Sequence, residues 1–228
     1  MTTVSAVMLV YNEVDFLNIS VNSIKENVDQ TVFVDMGSID GSVELIKSLC
    51  GGSDRIVSYP RKDLFRYGFA HARNYGASFC DSEWILMIDA DEIIQNQQIK
   101  HFIEDADGEN CFDVIRYNYQ NPSSLGPSEW ADVFASVPFT EERHRRIYRN
   151  KAELHFKGFL HEELYSEGTN TYFTSKSIDL ILHHLSSYRP GGEPATKQHL
   201  YAYMLMHVHN PSYSRGRWIW GGERSVKH

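Results

Sequence analysis

Short apolar runs recur through the first half of the chain and alternate with segments of helical period, which restricts the fold more than any other feature. Residues 4–11, 31–36, 55–59 and 83–89 read as strands. Residues 14–26 place Phe16, Leu17, Ile19, Val21 and Ile24 near a helical spacing, and residues 40–49 and the Ala-rich segment 69–79 also read as helices. The order β-α-β-α-β-α-β specifies an α/β fold, with a mostly parallel central sheet flanked by helices. Within it, Trp84-Ile85-Leu86-Met87-Ile88 is apolar without interruption, as a central strand covered on both faces must be.

The second half lacks this rhythm. Residues 97–106 read as one more helix, and residues 111–119, 145–148, 154–156 and 180–184 as short strands. Residues 121–139 are rich in Pro, Ser and Gly and read as a surface loop over a site. Residues 196–208 read as a helix, and the basic segment 213–228, with Trp218 and Trp220, as a tail. The expected organisation is one domain over residues 1–190 and a helical extension with a tail over 191–228.

Composition narrows the class. Of 228 residues, 42% are hydrophobic and 13% aromatic, enough for a sizeable core. The formal net charge of −8 argues against broad, sequence-independent binding to nucleic acid, which needs a basic face. Three scattered cysteines fit neither a disulfide framework nor a Cys-rich zinc site and read as reduced core residues. No run approaches the ~18 apolar residues of a membrane span, and no basic region precedes the first apolar stretch as it would in a signal peptide. A cytoplasmic protein is expected, with peripheral membrane association left open.

Chemistry concentrates where the strands end. Asp89-Ala90-Asp91-Glu92 closes the central run. On an extended chain Asp89 and Asp91 point to the same side, and in open α/β sheets ligands bind beyond the carboxyl ends of strands. Small Ala90 lets another group approach. Such a carboxylate pair suits a divalent cation bridging a diphosphate. The same tetrapeptide also reads as an acidic turn with one Asp as a helix N-cap. The first strand ends in Tyr11-Asn12-Glu13 and the second in Asp35-Met36-Gly37-Ser38, beside the same edge. Asp35 suits hydrogen bonding to a ribose or a base edge; for Asp35 and Asp40 the alternative is turn and cap chemistry. No Gly-x-Gly-x-x-Gly and no P-loop follows any strand.

Taken in order, residues 4–13, residues 34–42, Arg73-Asn74 and residues 88–92 resemble family 2 glycosyltransferases of the GT-A fold, a Rossmann-like architecture for nucleotide-diphosphate sugars. Residues 67–77, residues 84–92, Arg145-Arg146-Ile147-Tyr148-Arg149, Gly158-Phe159-Leu160-His161-Glu162 and His183 resemble one branch, the bacterial lipopolysaccharide-core glucosyltransferases and peptide S-glycosyltransferases. The resemblance runs over about residues 3–190. It implies an inverting, metal-dependent hexosyltransferase with a nucleotide-diphosphate sugar, in the first place a UDP-sugar, as donor. Tyr11, Asn12, Glu13 and Asp35 would line the nucleotide pocket, and Asp89, Ala90 and Asp91 would meet ribose, diphosphate and metal. Many members carry a second Asp after the equivalent of Asp35, where this chain has Met36.

The chemistry of transfer assigns the remaining roles. Negative charge builds on the leaving diphosphate, where manganese or magnesium held by Asp89 and Asp91 would act as a Lewis acid. The acceptor must lose a proton to a carboxylate on the opposite face of the sugar. Glu162, in the position resembling the branch's His-Glu motif, is the candidate base, with His161 to orient it or contact phosphate and Glu163 in reserve; a solvated strand-end charge is the plain alternative. One of His183 and His184 can face the acidic pair, since neighbouring strand residues point oppositely. The register resembling the family favours His183 as the metal's nitrogen ligand, against a histidine satisfied within the core. Arg73 can pair with a carboxylate or phosphate, and Arg145, Arg146 and Arg149 can face phosphate or acceptor, or solvent.

Two other functions share these features. A nucleotidyltransferase uses the same nucleotide, metal and sheet, but usually carries a Gly-rich, Arg-containing loop where this chain has Tyr11-Asn12-Glu13. A non-catalytic sugar-nucleotide binding module would not need both an acidic pair and a base. The acceptor stays open among a glycan, a lipid-linked glycan, a peptide and a modified nucleic-acid base.

Overall fold

All seven residues of β1 (Val4–Val10) are buried, and their side chains alternate between two cores. Val4, Ala6, Met8 and Val10 pack with Leu17, Val21 and Ile24 of α1 (Val14–Ile24), Ile46 of α2 (Ser42–Leu49), and Ile99 and Ile103 of a short α4 (Ile99–Ile103). Val7 and Leu9 pack with Leu64, Ala70 and Ala72 of α3 (Arg61–Ala77). A central strand covered on both faces has no side chain facing water, and the one polar residue of β1, Ser5, donates its hydroxyl to Gln30 Oε1 at 2.8 Å. This computed structural model describes residues 2–95, 98–104, 106, 108–119, 133–134, 138–168, 171–172, 175–189, 202 and 204–205.

The main sheet also contains β2 (Gln30–Asp35), β3 (Arg55–Ser58), β4 (Trp84–Asp89), β5 (Glu92–Ile94), β6 (Cys111–Asn118), β7 (Thr140–Arg149) and β11 (Lys176–His184). Its order is β3-β2-β1-β4-β7-β6-β11-β5. The first four strands are parallel, as the β-α alternation requires. The second half is mixed: β7 runs antiparallel to β4 and β6, and β5 antiparallel to β11. A smaller antiparallel sheet of β8 (Leu154–Lys157), β9 (Glu163–Ser166) and β10 (Thr171–Tyr172) contributes Leu154, Phe156 and Leu164 to the core beside α3.

Successive crossovers carry the chain from β1 to β2 to β3, then back to β4 on the other side of β1. The strand order therefore reverses between β1 and β4, whose ends lie in register with Leu9 opposite Asp89. Val10 lies opposite Asp35 on the other flank. Open sheets bind ligands at such a reversal.

Several boundaries differ from expectation. α3 begins at Arg61 instead of residue 69 and breaks at Gly68, whose φ of 76° lies outside the helical region. The expected strands 145–148 and 180–184 are the ends of longer strands, β7 and β11. β5, β9 and β10 were not expected; each is short and paired far from its sequence neighbours or carries no clear alternation. The expected helix 97–106 is confined to α4 among the described residues. The expected loop 121–139 and the extension and tail 191–228 lie almost wholly outside the described residues. No helix among those described is long and apolar enough to cross a membrane.

Candidate active site

A cleft of about 600 Å³ opens at the β1–β4 reversal. Its floor is the end of β4. Asp89 Oδ1 accepts from Arg73 Nη2 at 2.9 Å, and its Oδ2 accepts from Arg146 Nη2, also at 2.9 Å. Glu92 is wholly buried; its Oε2 accepts the Asp89 N–H at 2.9 Å, and its Oε1 lies 2.9 Å from both Arg146 Nη2 and Arg116 Nε. Burial opposes ionisation of Asp89, but Arg146, Arg73 and Arg116 outweigh it and hold the carboxyl well below the usual carboxylate range. For Arg146, burial is likewise outweighed by Asp89 and Glu92, which keep it charged. The expected metal role of Asp89 thus meets a competitor: both of its oxygens are engaged by arginines.

Asp91 lines the same cleft with different partners. Its carbonyl accepts the Leu185 N–H at 2.9 Å, so the acidic turn is sewn to the end of β11. His184 Nε2 lies 3.7 Å from Asp91 Oδ1, and Arg189 Nη2 lies 3.6 Å from its Oδ2. Arg189 also donates to Glu13 Oε2 at 2.5 Å and to the Asn12 carbonyl at 3.3 Å, joining β11 to the end of β1. His183 is not beside the acidic pair. Its ring is buried against Tyr119 and Phe134, with Nδ1 2.5 Å from the Tyr119 hydroxyl, and burial lowers its pKa to about 4. Of the two histidines, it is His184 that lines the cleft.

Asp91 and His184 set the kind of metal that fits. Among the described residues no group of three or more His, Cys, Asp or Glu side chains could hold an ion. A permanent zinc site, with its three or four protein ligands, does not fit. One carboxylate and one imidazole, completed by substrate oxygens and water, fit a labile manganese or magnesium ion.

The expected base shares this cleft. Glu162 lines the cleft, and its Oε1 accepts from Arg73 Nε at 2.5 Å. Arg73, 7% exposed, therefore bridges Asp89 and Glu162. Its Nη1 and the Nε of Arg146 are buried without a hydrogen-bond partner among the described residues. His161 also lines the cleft, in the left-handed region at φ 58°. Glu163 pairs with Arg145 at 3.1 Å.

The other expected residues divide. Tyr11 and Glu13 line the cleft, Tyr11 with the Arg61 guanidinium 4.2 Å above its ring. Ala90 lines it too and is buried, as a close approach to β4 requires. Asn12 is left-handed at φ 55°; its Oδ1 accepts the Ile39 N–H and its own N–H donates to Ser38 Oγ, tying the β1 end to the next loop. Asp35 accepts the N–H groups of Gly37 and Ser38, and Asp40 accepts those of Val14 and Ser42. Both have the turn and cap chemistry of their alternative reading, and neither lines the cleft. Met36 lines it from a buried position.

Sequence reasoning missed Arg116, Arg143, His144 and Arg189. Arg145 and Arg146 both line the cleft, although strand neighbours ordinarily face opposite ways. The β6–β7 ladder shifts register between Phe112 and Asp113, whose partners are Ile147 and Arg145, so Arg146 is the extra residue of a bulge that re-aims it. Arg149 lies elsewhere, over Trp84 and paired with Glu83.

This arrangement, a mixed sheet with a reversal-point cleft beside an acidic strand end, is the architecture of the GT-A fold. A family model described as glycosyl transferase family 2 matches residues 5–167, and the chain belongs to that family. Among its relatives is the SPbeta prophage-derived glycosyltransferase SunS of Bacillus subtilis, 25% identical over 161 residues, 71% of this chain and 34% of SunS. Glycosyltransferase GlyG of Streptococcus pneumoniae is 27% identical over 121 residues, 52% of this chain and 39% of GlyG. The chain thus spans little more than a third of these relatives. Among solved structures, S. aureus TarS 1–349 has the same fold, with a TM-score of 0.51 at 14% identity over 90% of this chain and 71% of that one.

Proposed function

We propose that the chain is the transfer domain of an inverting glycosyltransferase that moves a sugar from a nucleotide-diphosphate sugar to a nucleophilic acceptor. One observation supports this above all: the acidic end of β4 and Glu162 share one cleft, joined through Arg73. In the reaction an acceptor lone pair forms the new bond to the anomeric carbon, and the carbon–oxygen bond to diphosphate breaks. The acceptor proton passes to Glu162, whose carboxylate Arg73 holds in place. No protein nucleophile is needed, and inversion follows from attack opposite the leaving group.

Asp91 and His184 are the proposed protein ligands of manganese or magnesium, which when bound supplies Lewis-acid stabilisation of the leaving diphosphate. Arg73 and Arg146 line the cleft beside Asp89 and place positive charge near an anionic ligand. Asp89 keeps these two arginines charged and in position. The family match favours this reading over a nucleotidyltransferase.

The test is nucleoside-diphosphate release from a panel of nucleotide-diphosphate sugars, with and without manganese, in wild type and Glu162→Gln. Donor binding should survive in Glu162→Gln while turnover falls roughly 10²–10⁴-fold, the usual contribution of a general base. Equal turnover in the two proteins would remove Glu162 from the mechanism, and loss in Glu163→Gln instead would move the role one residue along.

A further inference from the structure

The run Tyr67–Ala77 contains Gly68 inside a helix and an Arg-Asn pair, and transfer chemistry by itself explains neither Gly68 nor the asparagine. The structure assigns them a common task. Three contacts join this part of α3 to the segment that carries Glu162. Asn74 Nδ2 donates to the Phe156 carbonyl at 2.9 Å, and the Phe156 N–H donates to Asn74 Oδ1 at 2.8 Å. The Phe69 N–H donates to the Phe159 carbonyl at 2.9 Å. Arg73 Nε donates to Glu162 Oε1 at 2.5 Å. The anchored residues, 156, 159 and 162, are evenly spaced along the segment.

Each contact has a requirement that few other residues meet. Phe156 lies in β8, the edge of the small sheet, and Asn74 satisfies its outward N–H and C=O as a neighbouring strand would. The Phe69 N–H meets the Phe159 carbonyl directly after the break in the helix at Gly68. A Cβ on Gly68 would lie 2.3 Å from the Phe159 oxygen, so no other residue lets the two backbones approach this closely. Gly158, at φ 118°, then turns the chain back under Glu162, where a Cβ would meet Glu162 Cα at 3.1 Å. Arg73 has the planar fork to hold Glu162 with Nε and Asp89 with Nη2 at once, which a lysine ammonium cannot reproduce.

We propose that the broken helix α3 is a clamp that sets the position of Glu162 relative to Asp89, with Gly68, Arg73 and Asn74 as positioning residues. The clamp spans from β8 to the end of β4, so one helix fixes the distance between Glu162 and Asp89. The proposal rests on the reading of Glu162 as the base.

Two measurements on the full chain test it: amide hydrogen exchange by mass spectrometry, and turnover of whichever nucleotide-diphosphate sugar in the panel the wild type consumes fastest. In Asn74→Ala, exchange in residues 156–164 should rise roughly tenfold or more, while β1 and β4 keep their protection. The kcat should fall about 10–100-fold, the scale of a misplaced catalytic group, with KM for the donor within about twofold of wild type. Arg73→Lys should show the same split between kcat and KM. Asn74→Asp, which keeps the acceptor half of the Phe156 contact, should fall between Asn74→Ala and wild type on both readouts, and it serves if Asn74→Ala does not fold. Unchanged exchange in residues 156–164, exchange rising equally in β1 and β4, or a raised KM with kcat retained would each overturn the clamp. If wild type turns over no donor, the reading of Glu162 as base fails, while exchange still decides whether α3 holds the segment.

Discussion

At the scale of single residues, two carboxylates two positions apart have different environments. Asp89 is engaged on both oxygens by Arg73 and Arg146 at 2.9 Å, whereas Asp91 has the looser company of His184 at 3.7 Å and Arg189 at 3.6 Å. Asp91→Ala should therefore weaken manganese binding far more than Asp89→Ala, and His184→Ala should raise the manganese concentration needed while His183→Ala leaves it unchanged. Titration of manganese in the presence of the nucleoside diphosphate checks this. Equal effects of His183→Ala and His184→Ala would separate the metal from this corner of the cleft. Glu92 makes a different point. It is wholly buried and compensates Arg146 and Arg116 while accepting the Asp89 N–H. Removing one partner of a buried ionic cluster leaves the others uncompensated, so Glu92→Gln should cost about 3–5 kcal/mol of stability by denaturant unfolding. A loss below about 1 kcal/mol would mean that water or other groups take over its role.

At the scale of elements, α3 has two glycines with different duties. Gly76 brings the helix against the sheet: a Cβ there would lie 2.5 Å from Val7 Cγ1 and 2.7 Å from Val34 Cγ2. Gly76→Ala should cost about 1–3 kcal/mol by overpacking, read as a lowered denaturation midpoint at constant slope, with the cleft retained. Gly68→Ala meets backbone instead, at a positive φ, and has no side chain to push aside. It should displace residues 158–162 and reduce turnover more than Gly76→Ala does at equal stability. Parallel denaturation and turnover measurements separate the two, and equal turnover losses at equal stability would deny Gly68 its special place. The bulge in β7 is a third device of this scale: by one extra residue it turns Arg146 toward Asp89.

At the scale of the whole molecule, the acid response follows from what the fold buries. Burial lowers His183 from an ordinary 6.5 to about 4, so the folded chain holds it neutral while the unfolded chain protonates it near 6.5. Its contribution is complete above about pH 6.5 and is lost as pH falls toward 4. Between about pH 7.5 and 4.5 the loss from this residue should be about 2–3 kcal/mol. The double variant His183→Phe/Tyr119→Phe, which removes the imidazole without orphaning the Tyr119 hydroxyl, should show a correspondingly smaller decline in denaturant unfolding over the same range. An identical decline in both proteins would place the acid-sensitive group elsewhere.

Much of the architecture was legible in the residues themselves. The strands and helices of the first half carry their period locally, and consecutive right-handed crossovers leave little choice of topology, so the parallel half of the sheet and the cleft edge beside Asp89 followed from pattern alone. The same holds for Glu162 and Asp91 as cleft residues, given the resemblance of their motifs. What the tertiary structure decided is everything set by pairing between distant segments. β5 is three residues long and exists because β11 pairs with it. The choice between His183 and His184 depends on the phase of alternation in β11, which an irregularity between Ser177 and Ile181 resets before either histidine is reached. Arg189 meets Glu13 across 176 positions of sequence, and Arg146 meets Asp89 through a bulge. Period and composition encode which face of an element is buried. They carry no record of which charged side chains the packed elements bring within 3 Å of one another, because that depends on register, bulges and helix breaks that exist only once the chain is folded.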